Sequence, residues 1–281
     1  MDVVSLWRRW KLWLLCGVAL LPCVFVAGRE FSLLPDGQTH VYMLDVGQGD
    51  SILIVSPSGK RVLVDGGPDL STLEQLGHFL PFFERRIDLV AFTHPDSDHI
   101  TSLPEVLQRY HVERMLFSPV EYKSGQYTRL LSLVEEQHIP LIIPDPSQDI
   151  DFGDGLVLDV IWPPKNLVRS SDDTNGASLV MRALAVSGSI LLTGDIDAFG
   201  EEELLKSGAP LAATILKVSH HGSETATSIP FLLAAKPTLA VISVGKDNRF
   251  GHPRPETLAH LASLKIPVRT TMGEGTIELK L

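Results

Sequence analysis

Between positions 94 and 99 the chain reads His94-Pro95-Asp96-Ser97-Asp98-His99, four potential metal ligands in six residues, directly after the apolar run Leu89 to Thr93. No other segment constrains the fold as strongly. A divalent cation needs convergent donors on a stiff support, and the end of a strand is one. The chain must therefore fold so that donors from distant positions reach that strand end. Taken alone, the run also fits a polar loop that caps a helix, with Asp96 or Asp98 as N-cap.

The distant donors are visible further along. Both cysteines, Cys16 and Cys23, lie in an apolar segment near the N-terminus, so the rest of the chain has no thiol and a metal there must be held by His and carboxylates. Asp195 closes the strand-like run Leu192-Thr193-Gly194-Asp195, where a carboxylate can bridge two cations. A second apolar run ends in Lys217-Val218-Ser219-His220-His221-Gly222-Ser223. Neighbours on an extended segment point to opposite faces, so one of these histidines is expected in the site. The expectation is His220, with His221 as a hydrogen-bonding or substrate-side partner. His252 follows in the loop Asn248-Arg249-Phe250-Gly251-His252-Pro253, and with it five of the ten histidines fall in these motifs, which argues against chance scatter.

Short apolar runs separated by Gly, Pro and Asp predict strands from Val41 to Leu44, Ser51 to Val55, Arg61 to Val64 and Leu89 to Thr93. A helix is expected from Ser102 to Tyr110, with Ser102 as N-cap, Pro104 in the first turn and Glu105 completing a capping box. Another is expected around Gln126 to Gln137, before a strand from Leu141 to Ile143. The second half repeats the mixture. Strands are expected at Leu156 to Ile161, Ser178 to Ala185, Ser189 to Thr193, Ala213 to Val218, Leu239 to Ser243, Val268 to Thr271 and Thr276 to Leu279. Helices are expected near Ala198 to Lys206, Ile229 to Ala235 and Pro255 to Leu264. Two successive blocks of this kind predict sheets packed face to face with helices outside. The polar loop from Pro163 to Gly176, with Asp172 and Asp173, is long enough to carry function.

Residues 1–28 read differently: Arg8, Arg9 and Lys11 precede an uncharged run from Leu12 to Gly28, the pattern of a signal peptide or a membrane anchor. Basic residues ahead of the apolar run favour a cytoplasmic N-terminus and an extracytoplasmic domain, secreted or membrane-anchored. Residues 29–39 then read as a linker and 40–281 as the globular domain. The net charge of −10 makes the domain acidic, which excludes tight nonspecific phosphate binding through many Lys and Arg contacts. Lys217, Lys246, Arg249 and Arg254 cluster near the last two motifs and are expected to form a local basic rim.

Seven elements in order resemble the metallo-β-lactamase superfamily, and more closely the C-terminal hydrolase domain of ComEC-type competence (DNA-uptake) proteins. They are Leu44-Asp45-Val46-Gly47-Gln48-Gly49-Asp50-Ser51, Val64-Asp65-Gly66-Gly67, the His94 to His99 run, Asn175 with Ser178, Gly194-Asp195, His220-His221-Gly222-Ser223 and Gly251-His252-Pro253. The wider superfamily has His-x-His-x-Asp-His; Asp96 stands where a His would be, as in the ComEC-type version. Thr101-Ser102 replaces the Gly-Gly that often follows, a departure that bears on loop shape.

The resemblance implies an α/β fold, the αβ/βα four-layer sandwich, with two divalent cations, Mn or Zn, at the sheet edge between its halves. It assigns His94, Asp96 and Asp195 to one cation and Asp98, His99 and Asp195 to the other. Asn175 replaces a histidine, and His252 or His220 completes the shell; in the related nuclease branch the earlier histidine works as an acid and the later one binds metal. Asp98, His220 and His221 are the catalytic set this implies. Asp45, Asp65, Asn175 and Ser178 then orient ligands or meet substrate. Asp96 makes the donors harder and moves preference from zinc towards manganese. The implied activity is hydrolysis of DNA outside the cytoplasm. A lactone, thioester or β-lactam hydrolase and a non-catalytic DNA-binding envelope module are the alternatives. No long apolar span follows residue 28, so the chain is expected to work separately, to rely on a membrane channel from another chain, or to take no part in uptake.

Overall fold

Short apolar segments punctuated by Gly, Pro and Asp become strands of two to six residues, and the mixed segments between them become helices. The computed structural model describes residues 13, 20–117, 122–164 and 174–281. Most of the N-terminal run, including Arg8, Arg9 and Lys11, lies outside the described residues, as do positions 165–173 of the polar loop. Two compact units are present, Met1–Leu34 with Gly77–Glu84 and Pro35–Leu76 with Arg85–Leu281.

Helix α1 covers residues 20–32, so the first part of the segment read as a linker is helical. There follow β1 (His40–Met43), β2 (Ile52–Val55), β3 (Arg61–Val64), α2 (Ser71–Phe79), β4 (Arg86–Ile87), β5 (Leu89–Phe92), α3 (Ser97–Ile100), α4 (Leu103–Arg109), β6 (His111–Val112), β7 (Met115–Phe117), α5 (Gly125–Glu136) and β8 (Leu141–Ile142). The second half comprises β9 (Ile150–Asp151), β10 (Val157–Trp162), β11 (Val180–Ala185), β12 (Gly188–Leu192), α6 (Ala198–Ser207), β13 (Ile215–Lys217), α7 (Ile229–Ala235), β14 (Leu239–Ile242), α8 (Pro255–Ser263), β15 (Val268–Thr270), α9 (Thr271–Glu274) and β16 (Ile277–Lys280).

Fourteen strands form two seven-stranded sheets, in the orders β16-β1-β2-β3-β5-β7-β8 and β15-β14-β13-β12-β11-β10-β9, and β4 pairs with β6 apart from them. Each is antiparallel at one side and parallel at the other: β16 to β3 and β9 to β12 are antiparallel, β3 to β8 and β12 to β15 parallel. The last strand leaves its own half and pairs with β1, Ile277 opposite Met43 and Lys280 opposite His40. That return is an addition to the expected two successive blocks.

The core between the sheets joins Val41, Ile54, Val64 and Ala91 to Leu158, Met181, Ile190 and Val241. On the outer side of the second sheet, Leu204, Phe231 and Leu261 of α6, α7 and α8 pack with Leu191, Leu216 and Ile242. On the first sheet, Phe92 of β5 stacks on Phe117 of β7 at 4.6 Å and meets Tyr127 of α5 edge-on. Strands β3 and β5 are buried at every position, as parallel strands covered on both faces require. Helix, sheet, sheet and helix make the αβ/βα four-layer sandwich.

Several helices start at a side-chain cap. Ser124, Asp197 and Ser228 each accept a hydrogen bond from a backbone N–H three residues on. Helix α4 does not. The Ser102 side chain makes no cap bond; its hydroxyl donates to the Gly66 carbonyl at 2.5 Å, and Glu105 pairs with Arg129 at 2.7 Å. The expected capping box is replaced by a tie between α4 and the turn after β3.

Candidate metal centre

The parallel strands β3, β5, β12 and β13 end towards one edge, and the residues just past those ends meet there. Asp65 follows β3, His94 follows β5, Asp195 follows β12, and His220 and His221 follow β13. The ends of parallel strands favour such sites because several backbone termini converge there and leave room for side chains. Asp98, His99, Asp195 and His221 each offer a ligand atom within 4.8 Å of the others.

Three imidazoles are fixed so that Nε2 is free. The Nδ1–H of His221 donates to the Ser243 carbonyl at 2.9 Å, a partner that can only accept. That of His99 donates to Asp65 at 2.9 Å. His94 Nδ1 lies 3.0 Å from the Thr93 hydroxyl, which itself donates to Asp65 at 2.8 Å. The Nε2 atoms of His94, His99 and His221 are all buried without a hydrogen-bond partner. Buried polar atoms seldom stay unpaired, and each one left so needs an explanation. These three face carboxylates. His99 Nε2 lies 3.3 Å from Asp195 and 4.0 Å from Asp98, His221 Nε2 lies 3.3 Å from Asp195 and 3.4 Å from Asp98, and His94 Nε2 lies 3.7 Å from Asp96. Imidazole lone pairs and carboxylates at these separations fit a divalent cation.

Charge points the same way. Asp50, Asp65 and Asp195 are buried, and Asp96 and Asp98 are partly so. Burial opposes protonation of His99, but Asp195 and Asp65 outweigh it and hold its pKa well above the ordinary value. The same balance, with Asp195 and Asp50 against burial, lifts His221 to about 10. Burial raises Asp195 and Asp98 less than the neighbouring His221 and His99 lower them, so both stay ionised. Burial keeps His94 neutral. Protons on His99 and His221 thus offset the carboxylates, and a divalent cation held there would take their place.

The support is as specific as the donors. Asp65 sits in the left-handed region at φ 62° and its carboxylate accepts from the Thr93 N–H at 2.7 Å, so one side chain orients Thr93 and His99. Ser178 Oγ accepts from the Asp195 N–H at 3.0 Å and lies 3.2 Å from His94 Nδ1, joining the two halves of the centre. Gly194 has φ 51°, and a Cβ there would come within 2.8 Å of Thr93 and 2.9 Å of the Ser178 hydroxyl. A side chain at that position would push Asp195 away from its partners.

Some expected positions shift. His220 and His221 are not on an extended segment but in a 3-10 turn with φ 49° and 53°, so the alternation rule does not apply to them. The inward place belongs to His221, 1% exposed, while His220 stands at the mouth with its Nε2 3.9 Å from Asp195. His252 is half-buried, its ring 5.7 Å from that of His220, outside the tight group of four. Burial and the charges of His220 and His221 lower its pKa to about 4. Asp45 accepts from the Gly47 N–H and shapes a turn. Asn175 lies in a 3-10 turn with its side-chain oxygen buried and unpaired. Asp96 N-caps α3 by position, yet its carboxylate accepts from Thr174 at 3.0 Å instead of capping.

Lys217 is not on a basic rim. It is fully buried, and its ammonium contacts Asp50, donates to the Gly194 carbonyl at 2.8 Å and lies 3.5 Å from Asp195. Asp50, Lys217 as a buried cation, and Tyr122, whose hydroxyl bonds to Asp96, escaped the sequence reading. The one usable signal was Gly49-Asp50 in the first turn. A Cβ on Gly49 would strike the Asp98 carbonyl, so that turn is pressed against the ligand run.

A family model described as the metallo-beta-lactamase superfamily matches residues 44–246. ComE operon protein 3 of Bacillus subtilis is 29% identical over 260 residues, covering 86% of this chain and 33% of that protein. Competence protein ComA of Neisseria gonorrhoeae is 31% identical over 279 residues, covering 98% of this chain and 36% of that protein. The chain thus spans about a third of the length of these relatives. Among solved structures, the metallo-beta-lactamase fold protein YhfI from Bacillus subtilis aligns with a TM-score of 0.57 at 13% identity, covering 86% of this chain and all of that one. Igni18, a metallo hydrolase from Ignicoccus hospitalis, gives 0.55 at 19%, covering 86% of this chain and 100% of its own. With the run at 94–99, Asp195 and the paired histidines assembled at the edge of a four-layer sandwich, this chain belongs to the metallo-beta-lactamase superfamily and is related to competence proteins.

Proposed function

We propose that this chain is a metal-dependent hydrolase that cleaves phosphodiester bonds of DNA outside the cytoplasm, tethered to the membrane by its apolar N-terminal run. The observation that carries the hydrolase reading is the set of three buried, unpaired Nε2 atoms facing Asp96, Asp98 and Asp195. The similarity to competence proteins supports DNA as the substrate. For the tether, the support is the order of Arg8, Arg9, Lys11 and the apolar run; among the described residues no helix is long and apolar enough to cross a membrane.

His94, His99, His221, Asp96, Asp98 and Asp195 would hold the metal, and Asp195, facing both His99 and His221, is placed to bridge. Divalent cations bound there would neutralise developing charge and acidify water, which is the chemistry hydrolysis needs. Three carboxylates among six donors favour manganese over zinc. The chain's own residues do the rest. Asp65 and the Ser243 carbonyl fix two imidazole tautomers, and Lys217 offsets Asp50. His220, at the mouth and 28% exposed, is placed to protonate the leaving oxygen, with His252 behind it.

The test pairs metal content with turnover in the presence of manganese. Asp195→Asn should lose both bound metal and DNA cleavage. His220→Ala should keep its metal while turnover falls by roughly 10²–10⁴-fold, the usual contribution of a general acid. DNA cleavage that survives in Asp195→Asn, or acyl-ester hydrolysis with no cleavage of DNA, overturns the assignment.

A further inference from the structure

Outside the metal centre, exposed apolar side chains gather in the unit formed by α1 and residues 77–84. At 3.6 residues per turn, Leu20, Val24 and Phe31 share one side of α1, Leu21 and Phe25 lie next to it, and Val26 lies opposite. All six are exposed, Phe25 by 76% and Phe31 by 78%. A groove on a protein covers one face of a helix; a helix apolar on so many faces is matched by lipid. The basic residues before the apolar run fit the same neighbour, since anionic headgroups attract them.

The neighbouring loop is built onto the polar end of this helix. The Arg29 guanidinium donates to the carbonyls of Gly77 and His78 at 2.8 and 2.9 Å, and the Glu30 carboxylate accepts from the Phe82 N–H at 2.8 Å. These bonds present Phe82 and Phe83 outward, in edge contact with each other and 64% and 58% exposed. Phe82 also lines one apolar hollow with Cys23, Val26, Ala27 and Phe31. Two exposed aromatic rings beside an ion pair, at the point where an apolar helix turns polar, match the level of a bilayer where rings meet headgroups and Arg reaches water.

We propose that Phe82 and Phe83 enter the headgroup region of a phospholipid bilayer beside α1, so that loop and helix form one membrane-docking surface. This rests on the reading of the N-terminal run as membrane-inserted, and the experiment separates the two. The full chain carrying Cys16→Ser and Cys23→Ser receives one new cysteine, at Phe83→Cys, Val24→Cys or Val186→Cys, labelled with an environment-sensitive fluorophore. Each is reconstituted into phosphatidylethanolamine and phosphatidylglycerol vesicles containing nitroxide lipids. The label at 83 should shift to the blue and be quenched best by a nitroxide near the headgroup. The label at 24 should be quenched best by a deep nitroxide. Val186, 87% exposed in the globular unit, provides the water reference. A label at 83 that behaves like the one at 186 overturns the proposal, whether or not 24 is quenched. Quenching at 83 without quenching at 24 supports the loop's docking and removes the inserted helix.

Discussion

Lys217 shows how one buried residue can set the terms for its neighbours. Its ammonium contacts Asp50, lies 3.5 Å from Asp195 and donates a hydrogen bond to the Gly194 carbonyl, and the side chain is fully buried. Lys217→Met would leave Asp50 as an uncompensated buried charge, which costs about 3–5 kcal/mol when a buried pair is broken. Urea unfolding of the metal-free protein should show that loss, and manganese should restore part of it. The histidines give a pH signature. The pKa of His221 is lifted from 6.5 to about 10, so its protonation stabilises the metal-free fold fully below 6.5, and that stability disappears as pH rises through about 10. Melting temperatures of metal-free protein should therefore fall between pH 7 and 10. Those of the metal-loaded protein should fall less, because the cation has already displaced the proton. The ligand run, Asp195 and the His220-His221 pair were legible because they cluster in sequence after apolar runs. Which histidine turns inward was not, because the 3-10 turn with two left-handed residues has no period in the sequence. Lys217 was misplaced for a similar reason: a single Lys at a strand end reads as solvent-facing unless its acidic partners, 22 and 167 positions away, are known.

At the level of elements, the turns after the strands hold the chemistry in place. Gly194→Ala would add a methyl group against Thr93 and the Ser178 hydroxyl at a left-handed φ. The expected result is a folded protein with weakened metal retention, measured by competition against a chelator; Ser178→Ala, which removes the bond to the Asp195 N–H, should move retention in the same direction. The strands and most helices could be read from apolar runs, while the caps Ser124, Asp197 and Ser228 appear only in the structure. Helix α2 could not. It is nine residues long, buries only Thr72 and Leu76 and holds Gly77 in its last turn, so little in so short a stretch separates it from a loop. Strand β7 is three residues long and buried throughout, which leaves no alternation to detect. The capping box at Ser102 failed because the hydroxyl had a better partner in Gly66, a contact between residues 36 positions apart.

For the whole molecule, the two sheets share one core and are expected to unfold together. The core runs unbroken from Ile277 and Val41 of one sheet to Met181 and Val241 of the other, and each half contributes candidate ligands. Ile277→Ala removes a fully buried side chain and should cost about 2–5 kcal/mol. In calorimetry with a metal indicator, release of metal and unfolding should stay coincident in that variant, both shifted to lower temperature. Two separate transitions would show that the halves unfold independently. Layer order was readable from the alternation of strands and helices, but the return of β16 to β1 was not, because a short closing strand carries no label for the sheet it joins.

That return fastens the two halves of the sandwich to one another. Strand β16 follows the second sheet in sequence yet pairs with β1 of the first, and Ile277 and Leu279 enter the shared core beside Val41 and Met43. The run at 94–99 stands on the first sheet while Asp195 and His221 stand on the other. Spreading the sheets apart therefore means breaking the β1–β16 ladder, so the candidate donors keep their spacing only while that seam stays closed.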